Sequence, residues 1–130
     1  MYEKTTNDIL IQVTPEFLDD QSRPEDDHFV WSYSVRIENK GAATVQLKSR
    51  YWKITDNQGH SHEVEGEGVV GQQPTLAPGE VFEYTSGTPL STPGGIMSGS
   101  YRMIGIDGHR FIVDIPAFSL DSPYQKSVVH

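Results

Sequence analysis

Residues 66–71 read GEGVVG and fit G-x-G-x-x-G, the glycine spacing that brings a backbone against a pyrophosphate. The chemistry needs more than glycines. A parallel strand must lead in, and a helix must begin within the motif so that its N-terminal amides hold the anion. Here the third glycine runs into QQPTLAPGE, where Pro74 and Pro78 oppose a helix. Glu63, Glu65 and Glu67 stand where phosphate charge would sit, and no G-x-x-x-x-G-K-[ST] occurs. Dinucleotide binding is therefore disfavoured.

Two readings of the loop remain open. In one, Gly66 and Gly68 supply positive φ or a bulge as a strand ends, and Gly71 opens the loop toward Pro74. In the other, the loop carries Glu67, Val69 and Val70 to a partner, since adjacent valines need burial in a core or an interface.

His60 and His62 share a strand face and could chelate a metal, but no third ligand is evident. They are weak candidates only, and half-buried histidines at a strand end are the simpler expectation. Glu63, Glu65 and Glu67 share a face without the pattern of a calcium loop. Ser86 and Ser91 lack a G-x-S-x-G elbow, and carboxylates are too many for an acid–base pair to be singled out. No catalytic constellation emerges, and neither enzyme activity nor a cofactor is expected.

The elements that must position these residues are strands. In 28-HFVWSYSVRIEN-39 apolar and polar residues alternate with period two. Ile9, Ile11 and Val13 align in 8-DILIQVTPEF-17, and Pro15 confines that strand's end to an edge or bulge. In 44-TVQLKSRYWKITD-56, Val45 and Leu47 differ in parity from Trp52 and Ile54, so a bulge or a bend is expected near Ser49–Tyr51. A three-residue loop, Asn57-Gln58-Gly59, then pairs Ile54 with His62, Trp52 with Val64 and Lys53 with Glu63. Further strands read at 80–87, 99–107 and 109–118, the last two meeting at Asp107-Gly108. About seven strands in 130 residues predict one all-β domain, an antiparallel two-sheet sandwich of immunoglobulin or fibronectin type III kind. Its core spans about 8–120, with a flexible tail at 121–130. With no cysteine, aromatic packing between the sheets must hold it together.

The formal charge is −8, and residues 1–27 hold eight acidic side chains against Lys4 and Arg23. Such a surface repels phosphate backbones, which disfavours direct nucleic-acid binding. No apolar run approaches the roughly 20 residues of a membrane span, and the start lacks signal-peptide character. A soluble, cytoplasmic protein without membrane contact is expected. An exposed strand edge could pair two copies into a homodimer.

Five motifs carry a resemblance. They are RYWxITD at Arg50–Asp56, VxGEGVVGxQPxLxPGE at Val64–Glu80, YTSGxxLxTxxGxM at Tyr84–Met97, GxYxM at Gly99–Met103 and FxxxIPxFxL at Phe111–Leu120. With IxVxPxFL at Ile11–Leu18, they make nearly the whole chain resemble the bacterial ApaG family. The resemblance implies a fibronectin type III-like sandwich in which GEGVVG has no established nucleotide role. Related domains occur in eukaryotic F-box adaptors and a polymerase-δ-interacting protein, where the module makes protein contacts. Bacterial members are linked to cobalt resistance and magnesium efflux, and their genes often neighbour one for a diadenosine tetraphosphate hydrolase. His60 and His62 fall outside the motif positions. The resemblance thus implies a non-enzymatic adaptor for a protein partner still to be identified, with weak divalent-cation binding or nucleotide binding as alternatives.

Overall fold

A computed structural model describes residues 1–125. Nine strands follow in order: β1 (Tyr2–Thr6), β2 (Ile9–Phe17), β3 (Phe29–Asn39), β4 (Val45–Asp56), β5 (Ser61–Glu67), β6 (Thr75–Leu76), β7 (Val81–Leu90), β8 (Gly95–Gly105) and β9 (Arg110–Leu120). The only helical elements among the described residues are 3₁₀ turns at Asp19–Gln21 and Pro24–Asp26. One sheet runs β1-β2-β3-β7 and the other β5-β4-β8-β9, with β6 added to β4. All pairings are antiparallel. The architecture is the expected two-sheet sandwich, with nine strands instead of about seven.

The two extra strands have physical reasons. β1 is too polar to alternate, but Asn7 and Asp8 both take left-handed φ (48° and 64°) and turn it tightly back along β2. β6 is two residues of the proline-bounded segment, paired to Val45 and Gln46. Pro15 sits where β1 has ended, so β2 there has a neighbour only in β3. The bulge in β4 lies at Lys48, between Leu47 and Ser49 in the register with β8, one residue before the expected stretch. The Asn57–Gly59 loop and the pairs Ile54–His62, Trp52–Val64 and Lys53–Glu63 are as anticipated.

The core lies between the sheets. Tyr33 of β3 meets Trp52 of β4 edge-on at 5.2 Å between ring centroids, and Phe118 of β9 lies 6.0 Å from both. Such aromatic pairs add about 0.5–1.5 kcal/mol each beyond burial. Aromatic packing is not alone, however. The Tyr84 and Tyr101 hydroxyls hydrogen-bond each other at 2.5 Å within the core, linking β7 in one sheet to β8 in the other.

Of the expected tail, 121–130, residues 121–125 are described. The Trp31 indole N–H donates to the Asp121 carbonyl at 2.8 Å, and the Tyr124 hydroxyl donates to Asp19 at 3.1 Å. Residues 126–130 lie outside the described residues.

Candidate functional site: the loop after β5

The loop is assembled on the bulge of β4. A bulged residue is left out of the ladder, so its carbonyl is free for other partners. The Lys48 carbonyl accepts the Gly68 N–H and the Gln73 side-chain amide, both at 2.9 Å. Arg50, next along the inward parity, donates from Nη1 to the Glu67 carbonyl (3.1 Å) and the Gly68 carbonyl (2.9 Å). Leu47 N–H donates to the Pro74 carbonyl at 3.0 Å and closes the far side.

Each glycine answers to this geometry. Gly66 remains within β5 and does not take positive φ; a Cβ there would lie 2.8 Å from the Arg50 guanidinium, so its role is to let Arg50 cross the strand. Gly68 has φ +64°, and a Cβ there would collide with the Gln72 carbonyl. Val69 and Gln72 exchange hydrogen bonds of 2.8 and 2.9 Å, making Val70-Gly71 a two-residue turn with φ of 43° and 78°. Positive φ at both positions is the type I′ pattern, which suits glycine and asparagine. A β-branched residue there is an outlier.

The adjacent valines have opposite fates. Val69 is 0% exposed and belongs to the hydrophobic core, so it is withdrawn as a contact residue. Period two in the returning chain turns its side chain inward. Val70 at the turn's tip is 54% exposed, and Glu67 is exposed at the end of β5.

The amides of Gly68, Val69 and Gln72 are all spent on backbone carbonyls. The motif thus ends a strand and forms a turn. Gly68 takes the positive φ anticipated for it, and Gly66 does not.

His60 and His62 do not form a half-buried pair; both are exposed, because β5 is an edge strand with little packed over it. The His60 Nδ1 lies 3.6 Å from Asp56, whose Oδ1 accepts the N–H groups of Gln58 (2.8 Å) and His60 (3.0 Å). Burial pushes the Asp56 carboxyl up, but these N–H groups outweigh it and hold it below the usual carboxylate range. Among the described residues, no three of histidine, aspartate or glutamate are grouped to hold a metal. Glu63, Glu65 and Glu67 lie across from Lys53, Tyr51 and Ser49. Desolvation, then Glu63 and Glu65, raise the Tyr51 hydroxyl.

Arg50, Lys48 and Gln73 brace the loop, a role that the motifs holding Arg50 and Gln73 do not reveal. Their signal was the parity slip in β4, which marks the bulge but not the loop it would hold. On the sheet formed by β5, β4, β8 and β9 lies an open cavity of about 510 Å³, lined by Arg50, Tyr51, Glu65, Glu67, Arg102 and Ile112, among others.

No helix among the described residues is long and apolar enough to cross a membrane. The family model described as the ApaG domain matches residues 19–105. Protein ApaG of Parvibaculum lavamentivorans is 61% identical over 130 residues, covering 100% of both chains. Protein ApaG of Paramagnetospirillum magneticum is 61% identical over 126 residues, covering 97% of each. The crystal structure of an ApaA protein from Bordetella pertussis superposes with a TM-score of 0.88 at 49% identity, over 91% of this chain and 96% of that one. The chain belongs to the ApaG family.

Proposed function

We propose that this chain is a non-enzymatic binding module that contacts a protein partner through the loop after β5, with Glu67 and Val70 as contact residues. The observation that carries this reading is Val70, an exposed apolar side chain held at φ 43° at the tip of a braced turn. Strain of this kind persists only where the surroundings enforce it, and it collects at sites of recognition. Arg50 and the Lys48 carbonyl enforce it here, so little ordering entropy is lost on binding.

The kinship with fibronectin type III and immunoglobulin domains belongs to the same reading, since such sandwiches present loops at their ends. A cysteine-free chain suits the reducing cytoplasm. The family's association with cobalt and magnesium handling would then act through the partner. The open edges of β5 and β7 leave room for pairing of two copies, a separate matter from the loop.

The test is affinity capture from the native cell with wild type, Glu67→Lys and Val70→Asp, each checked for an unchanged melting temperature. Both variants should lose the partners that wild type retains. Equal capture by all three overturns the assignment.

A further inference from the structure

The outer face of the β4-β8-β9 sheet carries a second surface, contiguous with the loop but built differently. A cavity of about 480 Å³ is lined by Lys48, Arg102, Arg110, Ile104, Phe111 and Ile112, with Ser49 and Met103 completing it. It shares Ser49, Arg102 and Ile112 with the 510 Å³ cavity that reaches across to β5. In the β8-β9 register, Arg102 faces Ile112 and Ile104 faces Arg110, so cations and isoleucines form a checkerboard.

Four features point to an occupant. The lining holds three cations and no carboxylate, in a chain of charge −8. Among the described residues, none of the three forms an ion pair; the ion pairs there involve Lys4, Arg36 and His60. Arg102 and Arg110 are diagonal neighbours, about 7–8 Å apart, which puts two long cationic side chains within reach of each other. Between them Ile112 is 54% exposed.

We propose that this face docks an acidic, leucine-type apolar segment of a partner protein. Its carboxylates would meet Lys48, Arg102 and Arg110, and its apolar side chains would cover Ile104 and Ile112. Glu63, Glu65 and Glu67 on β5 repel the same segment and confine it to the β8-β9 side. The inference rests on the reading of the chain as a protein-binding module, but not on the Val70 loop.

The experiment uses the full chain, isotope-labelled for NMR, titrated with a short synthetic peptide alternating glutamate and leucine. Amide shifts should centre on residues 48–49, 102–104 and 110–112, with a dissociation constant of about 1 mM or tighter. They should weaken as salt shortens the Debye length. The double variant Arg102→Glu/Arg110→Glu should bind at least about tenfold more weakly, and a lysine-leucine peptide should produce none of these shifts. The salt series on wild type tests the proposal even if that double variant misfolds. No localised shifts, or shifts indifferent to salt and to charge reversal, overturn the proposal. So do equal shifts from inorganic phosphate or a single-stranded oligonucleotide, or from a second copy docking through the acidic residues 19–27. Retained peptide binding by Val70→Asp separates this face from the loop: it stands if the loop reading fails, and the converse result leaves the loop standing.

Discussion

Val70 concentrates the conflict between folding and recognition into one residue. The turn it occupies wants asparagine followed by glycine, and the glycine is present as Gly71. A β-branched side chain in the left-handed region costs roughly 1–2 kcal/mol relative to a residue that tolerates it. Val70→Asn should therefore raise unfolding free energy by about 1 kcal/mol in urea, because asparagine bears positive φ and loses no buried contact. The same variant should lose the partners captured by wild type. Destabilisation would show that the valine packs favourably where it stands. Gly68 has no such latitude, since a side chain there would collide with the Gln72 carbonyl.

At the scale of elements, β4 joins the sheet, the loop and the outer face, with Lys48 and Arg50 as its active positions. Strands with strict alternation were legible from sequence, and β3 shows why: Phe29, Trp31, Tyr33, Val35 and Ile37 all turn inward and are buried. The β4-β5 register was legible because its turn fixes it through Gly59, which has φ +83°. β1 was not, because only one of its faces meets the protein and its polar residues show no period. Its role appears from its contacts. Lys4 pairs with Asp114 at 3.2 Å, Thr6 Oγ1 accepts the Asp114 N–H at 3.4 Å, and the Tyr2 hydroxyl accepts the Ser119 N–H at 3.4 Å. β1 thereby screens the free edge of β9, a row of unpaired groups that would otherwise template association. Removing residues 1–6 should convert the chain to a self-associating form, seen as concentration-dependent sedimentation, while circular dichroism stays β-rich. A monodisperse truncated chain would assign β1 another role. The split fate of Val69 and Val70 was equally hidden, since neighbouring valines look alike until a turn separates their directions.

At the scale of the whole molecule, a sandwich without disulfides depends on what crosses between its sheets. Beside the aromatic cluster stands the Tyr84–Tyr101 pair, which satisfies both hydroxyls within the core. Burial pushes both phenols well above the ordinary tyrosine range; the mutual hydrogen bond opposes this at Tyr84 and adds to it at Tyr101. Linkage fixes the sign. Below the unfolded value of about 10, both states keep their protons and the pair contributes fully. Above it the unfolded chain ionises while the native core does not, so the unfolded state binds fewer protons and stability falls as pH rises. Each phenol should remove up to about 1.4 kcal/mol per pH unit in that window. Urea unfolding from pH 8 to 11 should show this slope, with phenolate absorbance from the pair appearing only as the protein unfolds. Tyr101→Phe alone leaves the Tyr84 hydroxyl buried without its partner and should cost about 1–3 kcal/mol at neutral pH. Replacing both by phenylalanine should recover most of that loss and flatten the alkaline slope. If the double variant is no more stable than the single one, the pair is not a coupled hydrogen bond and the sheets are joined by aromatic packing alone.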